Sequence, residues 1–278
     1  MGKKKKILAD FDIEYLNEVL NTAERRGIWR RFFDDYVVIG KEHLEDMRAN
    51  RDSFVGFGNH VSHFDYIFIG KVFKEMDALK DFPRITAGTN LRNIVAAKIC
   101  TDFDRCNVLW TDRAKISKGD RQYIREWKKA VKDSIYHLEN VFAFPDAGRN
   151  WGDEVLSRGL NTMGKIVINS PMNPLVVPFA FDYDNPIEGK YQDKIAKHRG
   201  KSGLGRGLYY YYDINAFLGR ASQKNKGRAY MWIGKPERVR EIVGEGNPKK
   251  KAERLDDHVR RGIIRGLEEI AAQKIAKN

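Results

Sequence analysis

The spacing of hydrophobic positions changes near residue 50 and divides the chain into two parts. In residues 9–50 apolar side chains recur every three or four positions, as at Leu16 and Leu20, and this period predicts amphipathic helices. Gly27 interrupts the pattern and predicts a break between two helices. We therefore expect residues 1–50 to form an N-terminal helical region.

Beyond residue 50, short β-prone segments alternate with longer amphipathic segments. The short segments predict strands at FVGFG, RITAG, NVLWTD, VFAFPD, PLVVPFAF and AYMWIG. The longer segments predict helices at DYIFIGKVFKEM, SKGDRQYIREWKKAVKDSIYHLEN and LDDHVRRGIIRGLEEIAAQKIA. Such alternation is typical of α/β proteins, so we expect residues 51–278 to form one domain around a mixed, largely parallel central sheet flanked by helices.

The chain carries an excess of positive charge. There are 51 Lys and Arg against 38 Asp and Glu, a formal net charge of +13, which favours anionic partners such as lipid headgroups or phosphorylated substrates. A basic surface that serves only solubility is the alternative. No basic segment shows the interleaved aromatic residues of a nucleic-acid-binding surface, so no nucleic-acid partner is expected. The basic, glycine-containing residues 185–207 predict a mobile segment with one or two helical turns.

Targeting and membrane signals are weak. The longest apolar stretch, IVINSPMNPLVVPFAF, is interrupted by Pro171 and Pro174, so we expect no segment that spans a bilayer. The basic start MGKKKKILAD lacks the apolar core of a signal peptide. Cys100 and Cys106 are the only cysteines, too few for a disulfide framework. The sequence thus predicts a cytoplasmic protein, peripheral on the inner membrane face if it meets a membrane.

Candidate functional residues follow several of the predicted strands. In sheets of this kind, functional side chains gather in the loops at the carboxyl ends of the strands. In chain order, these loops carry Asn59, His60 and Asp65, then Asp112 and Arg113, then Asp146, Gly148 and Arg149, and finally Pro178.

His60 and Asp65 form the first candidate pair. Ser62 and Asp65 have the spacing of a capping box at a helix start. Asp65 could then turn back to hold the Nδ1 proton of His60, which leaves Nε2 to act as a general base. His63 is the alternative base, and a zinc site of His60, His63 and Asp65 is disfavoured because the three side chains would point in different directions. An ordinary surface histidine is the remaining alternative.

Arg113 and Arg149 are candidate phosphate ligands. Gly148 predicts a turn that needs positive φ just before Arg149, and an arginine on such a loop suits bidentate binding of phosphate. The alternatives are a strand-end ion pair between Asp112 and Arg113 and a solvent-exposed loop arginine.

Four segments in order, NHVSHFD, VLWTDR, FPDAGRN and NPLVVPF, resemble the four sequence blocks of the glycerolipid acyltransferase superfamily. The segments ITAGTNL, VVPFAFDYDNPIEGKYQDKI and GRAYMWIGKP resemble the glycerol-3-phosphate acyltransferase branch. Asp146, Ala147 and Asn150 stand where the family usually has Glu, Gly and Ser, and Asp112 precedes Arg113 where the branch has Arg. These departures bear on the identity of the acceptor more than on the type of reaction.

The resemblance implies an enzyme of phospholipid biosynthesis. It would transfer a fatty acyl group from a CoA or acyl-carrier-protein thioester to the hydroxyl of glycerol 3-phosphate, with His60 as base and Asp65 as its orienting residue. The implied substrate-binding residues are Arg113, Arg149, Gly148, Asp146 and Pro178. No metal or other cofactor is implied, and an anionic membrane surface is a further expected partner.

Two other functions remain open from the sequence. One is acylation of lysophosphatidic acid, and the other is a non-catalytic basic protein that binds lipid or nucleic acid. For the acyl chain, the apolar candidates are Phe64, Tyr66, Ile67, Phe68 and the run Tyr209 to Tyr212, with ordinary core packing as the alternative.

Overall fold

The fold is a three-layer α/β arrangement. The structure is a computed structural model that describes residues 7–8, 11–62, 64–89, 105–145, 159–185, 191–198 and 203–276. Helices cover both faces of one central sheet, and an N-terminal helix packs beside them. The predicted mixed, largely parallel sheet flanked by helices is confirmed.

The described residues contain eight strands. They are β1 Asp35–Ile39, β2 Phe54–Gly58, β3 Arg84–Gly88, β4 Val108–Thr111, β5 Val141–Ala143, β6 Leu175–Tyr183, β7 Arg228–Ile233 and β8 Glu237–Arg238. Their spatial order is β1-β7-β6-β2-β5-β3-β4, and β8 continues beside β6. Strands β2 to β6 run parallel, β7 is antiparallel to β6, and β1 is parallel to β7. The carboxyl end of β2 therefore lies between those of β5 and β6.

The helices are α1 Ile13–Arg25, α2 Ile28–Phe32, α3 Lys41–Ala49, α4 Phe64–Glu75, α5 Arg113–Ser117, α6 Arg121–Tyr136, α7 Asn161–Ile168, α8 Gln192–His198, α9 Gly203–Ala221, α10 Val239–Val243 and α11 Pro248–Ala276, with a 3₁₀ turn at Leu79–Asp81. Gly27 has φ of +59° between α1 and α2, as the interrupted pattern predicts. Within the described ranges, none of these helices combines the length and apolar character needed to cross a bilayer.

Alternation along β2 assigns its side chains to the two faces of the sheet. Val55 and Phe57 pack with α6, α7 and α11, whereas Phe54 packs with α4. Gly56 and Gly58 share the α4 face. A Cβ at Gly56 would lie 2.7 Å from the Phe142 ring, and one at Gly58 would lie 2.9 Å from it. The two glycines thus make room for aromatic rings across the central strand, beneath the carboxyl end where His60 lies.

The helical prediction for residues 9–50 was wrong over one segment. Residues 35–39 form β1 and not a helix, because DYVVI is rich in β-branched side chains and pairs along its whole length with β7. The segment 185–207 was expected to contain one or two helical turns, and its described residues include the seven-residue α8 and the first turn of α9, which continues to Ala221. The expected mobility of this segment stays a prediction. The tyrosine run of residues 209–212 lies on α9.

Pro178 does not lie in a loop, as the sequence suggested, but inside β6. Pro178 is buried, and it faces the gap between the two strands that pair with this side of β6. Strand β7 ends at Ile233 and β8 begins at Glu237. The missing N–H of proline is tolerated at such an interruption, and its carbonyl accepts a hydrogen bond from Gly234 N at 2.8 Å. Its ring packs against Gly262 of α11, on the face of the sheet opposite α4.

Candidate active site

Asp65 is the centre of the site. It lies in the first turn of α4 with no exposed surface, and its Oδ2 accepts hydrogen bonds from Val61 N at 2.8 Å and Ser62 N at 3.0 Å. Ser62 Oγ in turn accepts from Phe64 N at 3.2 Å. This is a variant of the capping box with Asp in place of Glu, in which the bond from Ser62 N to Asp65 has its standard partner and Ser62 Oγ accepts from the N–H one residue before the usual one. The helix start therefore immobilises a buried carboxylate.

His60 is held by this carboxylate. Its Nδ1 lies 2.9 Å from Asp65 Oδ2, and 19% of its side chain is exposed. The imidazole also stacks on Phe144, with ring centroids 4.5 Å apart and planes at 29°. Because a carboxylate oxygen only accepts, the neutral imidazole in this contact has its proton on Nδ1 and its lone pair on Nε2. The predicted pairing of His60 with Asp65 is present in the geometry.

Tyr183 completes the surroundings of Asp65. Its hydroxyl donates to Asp65 Oδ1 at 2.5 Å across 118 residues of sequence. The phenol ring is 3% exposed and stacks on Phe33, with centroids 5.4 Å apart and planes at 17°. Both carboxylate oxygens of Asp65 therefore accept hydrogen bonds. These bonds fix the plane of the carboxylate that holds the imidazole of His60.

Asn59 ties the end of β2 to β6. Its Nδ2 donates to the Phe181 carbonyl at 2.9 Å, and its Oδ1 accepts from Phe181 N at 2.8 Å. Strand β2 ends at Gly58, and the Asn59 side chain makes the next pair of hydrogen bonds to β6 in place of the backbone. His60, the next residue, is positioned relative to β6 and therefore relative to Tyr183.

Three of the aromatic residues that the sequence proposes for binding the acyl chain lie on α4. Phe64 and Phe68 are buried core residues, at 4% and 1% exposure. The Tyr66 hydroxyl donates to the Cys106 carbonyl, and burial, followed by the influence of Cys106, raises the pKa of Tyr66 well above its usual value. These three side chains stabilise the α4 face, and Cys106 has no exposed surface.

Several predicted site residues lie outside the described residues. Asp146, Gly148 and Arg149 fall there, as does His63 and with it the alternative base and the zinc alternative. Arg113 opens α5, directly after β4, and its backbone is described while its side chain is not. Asp112 caps α5 by accepting from Lys115 N at 3.1 Å. The roles assigned to the two arginines stay predictions.

Sequence reasoning missed two contacts of the site. Tyr183 and Phe144 entered the sequence analysis only as members of the family-like segments VVPFAFDYDNPIEGKYQDKI and FPDAGRN, without a role of their own. Period-two alternation places Tyr183 on the same face of β6 as Val177, Phe179 and Phe181. The sequence was sufficient to predict this alternation, but it did not show that β6 lies beside β2.

Fold and site together define a class of protein. The carboxyl end of a central parallel strand leads into a histidine whose Nδ1 is held by a buried carboxylate at a helix start. A histidine held in this way can take a proton from a hydroxyl group through Nε2. The class that the fold and site define is therefore an α/β protein with a histidine–carboxylate pair at the carboxyl end of its central strand.

Comparison with known proteins agrees with this class. The Acyltransferase family matches residues 36–182, more than half of the chain. The chain therefore belongs to the acyltransferase family. The matched range begins in β1 and ends one residue before the end of β6, so it contains His60, Asp65, the whole of β5 and all of β6 except Tyr183.

Two curated relatives are similar to this chain, and both belong to one branch of the acyltransferases. They are glycerol-3-phosphate acyltransferases of Shewanella sp. (strain W3-18-1) and Shewanella putrefaciens (strain CN-32), each 22% identical over 260 residues. The alignments cover 88% of this chain and 30% of each relative. The resemblance to the glycerol-3-phosphate acyltransferase branch is thereby confirmed, and the chain corresponds to under a third of the relatives' length.

Proposed function

We propose that this protein transfers a fatty acyl group from a thioester to the hydroxyl of glycerol 3-phosphate, with His60 as the general base. The observation that carries the proposal is the 2.9 Å contact between His60 Nδ1 and the buried carboxylate of Asp65. Such a pair activates an alcohol, which is a poor nucleophile near neutral pH. The names of the two curated relatives support the choice of acceptor.

The reaction balances with His60 as the only proton carrier. The acceptor hydroxyl attacks the thioester carbonyl carbon while His60 Nε2 takes its proton, so a C–O bond forms and an O–H bond breaks. The tetrahedral intermediate then expels the thiolate, the C–S bond breaks, and the imidazolium returns the proton to sulfur. The products are an ester and a free thiol, and no acyl-enzyme is needed.

Asp65 serves this cycle without changing its own protonation. Its negative charge stabilises the imidazolium that forms during attack, and its hydrogen bond selects the tautomer with the lone pair on Nε2. The two backbone donors on Oδ2 and the Tyr183 hydroxyl on Oδ1 prevent the carboxylate from rotating away. Positioning of this kind supplies rate through orientation.

The acceptor phosphate would be bound by Arg113 and Arg149. Guanidinium groups bind phosphate in a bidentate manner, and holding a remote phosphate sets the hydroxyl against the base. The positive charge of the chain favours the approach of an anionic acceptor. Either a CoA or a carrier-protein thioester meets the chemical requirement for the donor.

The test is thiol release from acyl-CoA and from acyl-carrier protein, measured with different acceptors. We expect release to depend on glycerol 3-phosphate and to fall at least about tenfold with glycerol, because glycerol lacks the phosphate that orients the hydroxyl. The measurement is the initial rate of free-thiol formation, with the ester product identified by mass spectrometry.

Other outcomes of this assay would change the assignment. Faster turnover with lysophosphatidic acid than with glycerol 3-phosphate would move the protein to the second acylation step. Absence of thiol release with every acceptor and both donors would leave a lipid-binding protein that has the fold without the activity.

A further inference from the structure

Helix α9 exposes four large apolar side chains. Leu204, Tyr211, Ile214 and Leu218 are 82%, 59%, 48% and 65% exposed. Their spacing of seven, three and four residues places them on one face of the helix, and Gly207, also exposed, lies on the same face. We call this face, with these five residues, the α9 stripe.

The opposite face of α9 is buried and contains charged residues. Arg220 is 1% exposed, and its guanidinium donates to the Phe32 carbonyl at 3.0 Å, to Gln223 Oε1 at 2.9 Å and to the Lys226 carbonyl. Asp213 on the same side is 5% exposed. These contacts attach α9 to the end of α2 and hold the α9 stripe outward. A surface helix normally has the reverse arrangement, so the stripe is suited to an apolar environment.

The neighbourhood of the α9 stripe is basic. Lys194 and Lys197 are exposed on α8 beside one exposed acid, Asp193, and Arg30 and Arg31 are exposed on α2, which contains no acid. Both helices pack against α9. The acid of α9 itself, Asp213, is buried. A second copy of this +13 chain would bring like charges together around the stripe. The same positive charges would attract an anionic partner.

We propose that the α9 stripe docks on an anionic membrane surface. A helix with an apolar face and basic flanks lies in the plane of the interface, with the apolar side chains among the lipid chains and the basic groups at the headgroups. Tyr211 adds an amphipathic ring of the kind that favours the interfacial region. The proposal concerns binding and does not depend on the acyl transfer proposed above.

Vesicle co-sedimentation of the full chain tests the proposal without substrate. The probes are phosphatidylcholine vesicles with and without phosphatidylglycerol. We expect the wild type to partition more strongly onto the anionic vesicles than onto the neutral ones. In the double variant Leu204→Gln with Leu218→Gln, the partition coefficient for anionic vesicles should fall about tenfold or more, because two exposed apolar side chains no longer enter the lipid. The control is Tyr136→Gln with Ile275→Gln, which removes two apolar side chains of 61% and 77% exposure elsewhere. Both double variants keep the net charge.

Three results would overturn the membrane proposal. One is wild-type binding no stronger to anionic than to neutral vesicles. Another is equal partition of the two double variants. The third is a change from dimer to monomer in analytical ultracentrifugation for the α9 variant alone, with vesicle binding unchanged, which would assign the stripe to a second copy of the chain.

A separate observation, the hydrogen bond from Tyr183 to Asp65, concerns the proposed reaction. The structure assigns Tyr183 the part of a positioning residue, and this inference rests on the proposed role of His60. The hydroxyl of Tyr183 acts on Oδ1 of the carboxylate whose Oδ2 orients the imidazole of His60. Loss of the hydroxyl would allow Asp65 to rotate and His60 to leave its productive orientation.

Tyr183→Phe tests this role, since it removes the hydroxyl and keeps the ring that stacks on Phe33. We expect kcat to fall by about tenfold to a hundredfold with KM little changed, as for the loss of one hydrogen bond to a charged group. We also expect the downfield proton resonance of His60 Nδ1–H to shift. The control is Tyr230→Phe, at a fully buried tyrosine on the opposite face of the sheet.

The two readouts separate the possible failures. An unchanged kcat and an unchanged His60 resonance in Tyr183→Phe would overturn the positioning role. An inactive wild type would overturn the proposed function, and the resonance would still report whether Tyr183 orients the pair. A fall in kcat of equal size in Tyr230→Phe would indicate general loosening of the fold, against a specific role for Tyr183.

Discussion

Replacing His60 with alanine is expected to reduce the rate of acyl transfer by about a hundred- to ten-thousand-fold, the contribution of a positioned general base. The fold should be kept, because His60 is partly exposed and Asp65 retains its donors from Val61, Ser62 and Tyr183. The measurements are the initial rate of thiol release with glycerol 3-phosphate and the midpoint of urea unfolding.

His137→Ala is the matched control for this substitution. His137 is exposed at the end of α6, so its removal should change neither the rate nor the midpoint. An His60→Ala enzyme that turns over at the wild-type rate would exclude the proposed base. Loss of the unfolding transition would instead mean that the imidazole is needed for folding, and His60→Gln, which keeps a polar side chain, would then be assayed.

Replacing Asp65 with asparagine is expected to lower both activity and stability. Donors approach both oxygens of Asp65, namely His60, Val61 and Ser62 at one and Tyr183 at the other. An amide nitrogen cannot accept from them, so at least one buried donor loses its partner at a cost of about 1–3 kcal/mol in the free energy of unfolding. The rate should fall by about a hundred- to ten-thousand-fold, because the base loses its orientation.

The contrast between the two variants is the diagnostic result. His60→Ala should lose activity alone, and Asp65→Asn should lose activity and stability together, as measured by thiol release and urea unfolding. Asp120→Asn is the control, since Asp120 caps α6 by accepting from Tyr123 N at 3.0 Å and asparagine caps about as well as aspartate. An Asp65→Asn protein with wild-type rate and stability would contradict the arrangement described for the site.

The local part of the site was predictable because it lies within one helical turn. Ser62 and Asp65 are three residues apart, and the capping box they form follows from the geometry of any helix start. The pairing of His60 with Asp65 then follows from the direction of a side chain that turns back toward the N-terminus. The strand at residues 54–58 was predictable for a similar reason, since its pattern of apolar residues is short and uninterrupted.

The predictions that failed concern segments whose structure depends on distant partners. DYVVI becomes β1 only because β7 lies beside it, almost two hundred residues later in the chain. Pro178 is accepted inside β6 because the strand facing it is interrupted between Ile233 and Glu237. A propensity read along one segment contains no information about either partner.

By itself, the sequence determined the class of fold, the family and the His60–Asp65 pair, all of which follow from residues close together in the chain or from motifs in a set order. Only the tertiary structure decided that Tyr183 bonds to Asp65, that Phe144 stacks on His60, and that α9 buries Arg220 while exposing Leu204 and Leu218. Those contacts depend on strand order and on helix orientation. Both result from packing the whole chain around one core, which no local pattern specifies.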